Sequence, residues 1–345
     1  MTDFMPAPAP LKLSICIATF NRGAHIGETL DSILGQMTDN CEIVVVDGGS
    51  TDDTERLMSG YSRRFERVRY VRKETNGGFD RDCDSAVELA SGEYCWLMSD
   101  DDLVKPGAVT AVLEALCQDF SLVILNAEFS DFSMSKVLHR RWLDFETDRT
   151  YDPENLDRLF LDLGTRIGYV GGIVIKRTIW LARERTQYYG SWFVFLGVIF
   201  QSRLPGKAVV IAEPLISYRM DNTHTFSRES REIMFLKWPA LLDSLPISEL
   251  ARRKAPWRSP KWLLILRGLG LYSHTEYRRW IRPQQRSIRA RLTPALIAQL
   301  PGVLVNAFFC LCFSPRQDRF LILRSMHESP LHVRNWRIFK HKESA

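Results

Sequence analysis

Between Leu11 and about residue 125, short apolar runs alternate with stretches in which apolar positions recur every three to four residues. The run Leu13-Ser-Ile-Cys-Ile-Ala18 reads as a buried strand and is followed by a loop at Thr19–Arg22. Ile26, Leu30, Ile33, Leu34 and Met37 fall on one face of a helix expected over His25–Met37. Glu42–Asp47 gives a second strand, after which Gly48-Gly49-Ser50-Thr51-Asp52 supplies turn and capping residues for a helix over 53–65. Val68–Arg72 is a third strand. The loop Asn76-Gly77-Gly78 opens a helix near 80–91, which Gly92 ends. Glu93–Met98 makes the fourth strand, 107–117 a helix and Ser121–Leu125 the fifth strand. Strands that alternate with helices predict right-handed βαβ units, hence an α/β fold with a doubly wound, mainly parallel sheet.

Beyond residue 126 the pattern loosens. Gly168–Lys176 contains a strand, Trp192–Phe200 reads as a buried helix, and Val209–Tyr218 gives one or two more strands that extend the same sheet. Ligands of such sheets bind beyond the carboxyl ends of the strands. The Thr19–Arg22 loop, Asp47 and the triplet Asp100-Asp101-Asp102 all sit at those ends, so three polar sites converge on one crevice. Three adjacent carboxylates repel one another at the end of a buried strand. A divalent cation shared with a diphosphate reverses that balance, because Mg2+ and Mn2+ take hard oxygen ligands. The competing reading is an acidic turn in which Asp102 caps the next helix.

Charge and composition divide the chain further. Its 345 residues carry a formal charge of +5, but residues 251–345 hold 19 Lys and Arg against 4 Asp and Glu, so that segment stands at +15 and the remainder at −10. This asymmetry sets an anion-seeking tail apart from the part that does the chemistry. No residue between Arg291 and Arg316 is charged, yet Pro301 interrupts the apolar run near its middle. Two short helices lying at a membrane interface fit better than one spanning helix, with packing on the catalytic core as the plain alternative. No recognised nucleic-acid-binding module accompanies the basic charge.

Seven cysteines without repeated metal-type spacing read as free thiols of a reducing compartment, and Cys310-x-Cys312 as small apolar residues in an apolar run. Residues 1–10, with Asp3 and three prolines, read as a disordered lead-in and lack the pattern of a secretory signal. The expected organisation is therefore a lead-in over 1–10, a main domain over 11–245 (two halves, 11–125 and 126–245) and a basic helical extension over 246–345.

Ser14-Ile-Cys-Ile-Ala-Thr-Phe-Asn-Arg22, Glu42-Ile-Val-Val-Val-Asp-Gly-Gly-Ser-Thr-Asp-Asp53, Asn76-Gly-Gly-Phe-Asp-Arg81, Ser91-Gly-Glu-Tyr94 and Asp100–Asp102 with Pro106 resemble, in order and spacing, the family 2 glycosyltransferases of GT-A fold. Within that family, Asn76–Asp82 and Gly92–Leu97 look most like the bacterial abequosyltransferase branch, which transfers a dideoxyhexose in O-antigen synthesis. The resemblance implies a metal-dependent glycosyltransferase that moves a sugar, a deoxyhexose among the candidates, from an NDP-sugar to a saccharide or lipid-linked acceptor. Together with the basic, apolar-interrupted tail over 251–345, it suggests work at the cytoplasmic face of the membrane, peripherally attached to an anionic surface. Thr19, Phe20, Asn21, Arg22 and Asp47 would hold base and ribose, and Gly78 and Arg81 would lie near the nucleotide, the guanidinium suiting a phosphate. Counting back from Pro106 makes Asp101 the direct metal ligand. Asp100 and Asp102 would make ribose or water-mediated contacts, Asp102 also counting among the metal residues, and His224 would lie near the diphosphate or metal.

One departure stands out. Where the family commonly carries an acidic pair at the start of the later buried helix, this chain has Tyr188-Tyr-Gly-Ser-Trp-Phe193. The general base is then sought elsewhere, with Asp221 and the acids of 144–162 as candidates. Two rival functions remain in view. A nucleotidyltransferase also needs acids and metal beside phosphates, but Thr19–Gly23 is no glycine- and lysine-rich phosphate loop. A polysaccharide- or membrane-binding protein that has lost catalysis would fit the missing acidic pair.

Overall fold

The computed structural model describes residues 11–220, 230–254, 259–285, 287–312, 320–329 and 331–332. The expected lead-in, Asp221 and His224 lie outside these residues. The chain divides into two compact units, Met1–Asn222 with Ser244–Ile247, and Thr223–Asp243 with Ser248–Ala345. The second unit thus begins at 223, ahead of the boundary drawn at 246 from composition.

In the first unit, β1 (Leu13–Thr19), β2 (Cys41–Asp47), β3 (Val68–Arg72) and β4 (Tyr94–Met98) pair in parallel in the order β3-β2-β1-β4. Helices α1 (Ile26–Leu34), α2 (Thr54–Arg64) and α3 (Phe79–Leu89) connect them. Every residue of β4 is buried and β1 nearly so, as their unbroken apolar sequences require of strands covered on both faces. A two-residue strand β5 (Leu103–Val104) and helix α4 (Ala108–Leu116) lead to β6 (Leu122–Ser130), which runs on five residues past the expected end at Leu125.

The second half joins the same sheet in a less regular way. Short strands β7 (Val137–His139) and β8 (Arg149–Tyr151) and helix α5 (Leu156–Leu163), none of them anticipated, precede β9 (Ile173–Lys176). β9 inserts antiparallel between β4 and β6, followed by α6 (Arg177–Leu181), the fully buried α7 (Val194–Phe200) and β10 (Ala208–Arg219). β10 is one strand, parallel to β6, with register shifts around Pro214, which has no N–H to donate. The buried Asn126 side chain meets the freed backbone there, donating to the carbonyls of Leu143 and Ala212 at 2.9 and 2.8 Å.

The second unit is helical. Pro260–Gly268 packs Leu263 and Leu266 with Phe235, Tyr272, Tyr277 and Ile297, and turns Ile265 toward Phe309 and Met326. Helices Ile288–Gln299 and Gly302–Cys312 meet at 86°, with Pro301 in the break where the sequence placed it. Among the described residues no single helix is long and apolar enough to cross a membrane.

Candidate active site

The carboxyl ends of β1, β2 and β4 are stitched together by their loops. Asn21 takes a left-handed backbone (φ 55°), which asparagine tolerates better than most residues. Its N–H donates to Ser50 Oγ at 2.8 Å, and its Oδ1 accepts from Thr51 N at 2.8 Å. Arg22 N donates to Thr54 Oγ1 and Gly23 N to Asp52 Oδ2. The loop after β1 is therefore locked to the turn after β2, while the Phe20 ring remains 40% exposed.

Asp47 organises that turn. It is fully buried, its Oδ1 accepts from the amide and hydroxyl of Ser50 at 2.8 and 2.7 Å, and its Oδ2 accepts from Tyr70 Oη at 2.6 Å. Burial, then the bond to Asp47, raises the Tyr70 pKa, so the phenol stays a donor. Both carboxylate oxygens are occupied, which is the turn-forming arrangement rather than an open edge for a nucleobase. Gly48 packs closely next: a Cβ there would lie 2.7 Å from Asp82 Oδ2 and would displace that carboxylate. Asp82 in turn pairs with Lys73 at 2.9 Å. Gly78, at φ 87°, admits the chain to α3, and the exposed Arg81 beside it lies over the Tyr189 ring at 5.2 Å.

The three carboxylates of the triplet have different surroundings. Asp102 is 1% exposed. Its Oδ1 accepts from Arg219 N at 2.7 Å, and its Oδ2 from Tyr169 Oη at 2.8 Å and from the Ser99 hydroxyl. This geometry does not suit the part of metal or ribose ligand expected for Asp102, since protein donors take both oxygens. Asp100 and Asp101 keep 15% and 17% of their side chains exposed and face Arg22, whose Nε donates to Asp100 at 3.3 Å and whose second nitrogen lies 4.0 Å from Asp101. Burial, and then the Asp101 charge, push Asp100 and Asp102 each up to about 7.

Arg219, which sequence reasoning passed over, knits the site from beneath. It is 4% exposed and donates to the Asp101 carbonyl at 2.8 Å, the Phe132 carbonyl at 2.6 Å and Glu28 Oε2 at 2.5 Å. A charged residue closing the apolar run Leu215–Tyr218 was the available signal. His25 is held below its ordinary pKa by burial and then by the Arg219 charge. The oxygen donors of Asp100 and Asp101 would suit a hard divalent cation.

The other half of the crevice rests on α3. Asp80, 3% exposed, accepts from Trp192 N and Val194 N at 2.8 and 2.9 Å, and so holds the segment entering α7. Trp192 takes φ 73°, a strained position for a bulky residue, and stacks on Phe79 with ring centroids 5.8 Å apart. A groove of about 320 Å³ lined by Arg149, Tyr151, Arg158 and Asp162 lies against the opposite, amino end of β10, away from these groups.

Comparison with known proteins agrees with this geometry. Residues 14–178 match the model described as glycosyl transferase family 2. These residues form a family 2 glycosyltransferase domain. The abequosyltransferase RfbV of Salmonella typhimurium is 27% identical over 223 residues, 61% of this chain and 67% of that protein. The glycosyltransferase GlyG of Streptococcus pneumoniae is 30% identical over 115 residues, 33% of this chain and 38% of its own length. The crystal structure of S. aureus TarS residues 1–349 in complex with UDP superposes with a TM-score of 0.54 at 16% identity, covering 92% of this chain and 90% of that one. The domain thus has the GT-A fold, a mixed and mostly parallel sheet with helices.

Proposed function

We propose that this chain transfers a sugar from a nucleoside-diphosphate sugar to a saccharide acceptor in cell-surface polysaccharide or O-antigen synthesis. The observation that carries the reading is the convergence of the family's loops on Arg22, Asp100 and Asp101 at the carboxyl ends of β1 and β4. Asp101, with Asp100, would hold a Mg2+ or Mn2+ ion, which when bound offsets the charge growing on the leaving diphosphate. Arg22 balances and orients the two carboxylates. Asn21, Thr51 and the turn set by Asp47 form the nucleotide side, Gly78 lets the backbone approach, and Arg81 offers a fork for phosphate. Asp102, Tyr169 and Arg219 fix the triplet's backbone. RfbV favours a deoxyhexose donor and TarS a UDP-sugar, so the donor is the sharpest question.

A thermal-shift panel of UDP, CDP, dTDP and GDP with Mn2+ on the full chain tests the reading. One nucleotide should raise the midpoint well above the rest, in proportion to its affinity. No shift with any diphosphate overturns donor binding. A second reading, a GT-A protein that binds saccharide without transfer, is favoured by one observation: the segment Tyr188–Phe193, where the family commonly carries an acidic pair, has no acid, and Asp80 is spent on its backbone N–H groups. Donor consumption by the purified protein separates the two.

The second unit would attach peripherally to the anionic cytoplasmic face of a membrane, near a lipid-linked acceptor. Ile288, Leu292, Leu296, Leu304, Phe308 and Leu311 recur every three to four positions within each of two bent helices and are 54–87% exposed, in a segment of charge +15. Flotation with anionic vesicles should be strong at low salt and weaker at high salt. Equal recovery on neutral vesicles overturns the electrostatic part.

A further inference from the structure

Two histidines five positions apart and a cysteine 17 residues before them meet in the second unit. Cys310 is in the last turn of helix Gly302–Cys312, His327 in the last turn of helix Phe320–Glu328, and His332 just beyond it. Their ligand atoms all lie within 4.8 Å of one another, and His327 Nδ1 is 3.1 Å from His332 Nε2. Two nitrogens bound to one tetrahedral zinc, each at about 2.0–2.1 Å, stand about 3.3 Å apart, so the imidazoles already have that spacing. The Cys310 sulfur lies within 4.8 Å of both and 3.7 Å from Asn306 Oδ1. The spacing His327-x4-His332 is also that of histidine pairs in structural zinc sites.

The surroundings hold this geometry in place. Asn306, fully buried one helical turn before Cys310, donates to the carbonyls of Gly268 and Met326 at 3.0 and 2.9 Å, fastening helix 302–312 to the neighbour of His327. Ser329 Oγ donates to Leu269 O at 3.1 Å and accepts from Leu331 N at 3.1 Å, which turns the chain so that His332 faces back toward His327.

We propose that Cys310, His327 and His332 form a zinc site that clamps helices 302–312 and 320–328 together, with a fourth position open to water. Thiolate and imidazole donors select Zn2+ over the hard cations suited to Asp100 and Asp101. The site is independent of the transferase reading and stands or falls without it.

Co2+ titration of the purified full chain is the test. One equivalent should produce a sulfur-to-cobalt charge-transfer band with visible bands of tetrahedral strength, both erased by Zn2+. An all-oxygen site at the acidic triplet gives no sulfur band, so the two sites are told apart. Cys310→Ser should abolish the charge-transfer band, and His327→Gln and His332→Gln should weaken Co2+ binding at least tenfold. Added Zn2+ should raise the thermal midpoint of the native chain and not of Cys310→Ser. A native chain without the sulfur band overturns the site, leaving a hydrogen-bonded histidine pair. So does a band that survives Cys310→Ser, or full affinity in both histidine variants. Far-ultraviolet circular dichroism on each variant shows that the comparison is between folded proteins.

Discussion

Two acidic triplets, both largely withdrawn from water, are used in opposite ways. On α3, Asp80, Asp82 and Asp84 are 2–3% exposed and each has its own protein donors. Asp80 takes two backbone N–H groups, Asp82 the Lys73 ammonium, and Asp84 the indole of Trp180, the guanidinium of Arg185 and the phenol of Tyr189. At the end of β4, Asp102 is held in this manner by Arg219 N, Tyr169 and Ser99. Asp100 and Asp101 both face one arginine, Arg22, with 15% and 17% of their side chains exposed. The first triplet is structural because its charges are answered one by one. The second is suited to a ligand because two of its carboxylates lie at the solvent-facing edge beside a single arginine.

The largest expected effect that separates the two is on turnover. Asp101→Ala should lower donor consumption by about a thousandfold, the scale of removing one group that stabilises transition-state charge. The thermal midpoint should stay or rise, because a like charge leaves Asp100 and Asp102. Activity near that of the native chain, or full native activity in EDTA, would refute the metal assignment.

Asp84→Ala should do the reverse. Removing it leaves Arg185, Trp180 Nε1 and Tyr189 without their shared acceptor, so urea unfolding should show a loss of about 3–5 kcal/mol. A loss within experimental error would mean that water replaces the carboxylate and that the α3 triplet is less structural than its burial indicates.

The smallest effect is a pH slope. Burial, then partly opposing Lys73, leaves the Asp82 carboxyl holding its proton above the ordinary value of 3.8. The folded chain then binds more protons than the unfolded chain in the window just above 3.8, so this group makes stability fall as pH rises through that window. Asp82→Asn should flatten the difference in urea midpoint across it. An unchanged slope would assign the window to other carboxyls.

The sequence by itself determined the elements whose information is local. β3 has the bounds read from its apolar run, α1 to α4 lie within two or three residues of their periodic faces, and Pro301 breaks the apolar tail. Backbone propensity and amphipathic period act over a few residues and are visible in one dimension. The family motifs likewise placed Arg22, Asp100 and Asp101 at strand ends. Only the tertiary structure decided what long-range pairing controls. The insertion of β9 between β4 and β6 follows from antiparallel partners about 80 and 50 residues away, and short strands such as β7 and β8 exist only through their neighbours. The identical letters of Asp100, Asp101 and Asp102 part company for the same reason: Tyr169 and Arg219 arrive from 67 and 117 positions downstream and take the oxygens of Asp102 alone. A carboxylate's role depends on which donors reach it, and those donors come from segments that only folding brings near.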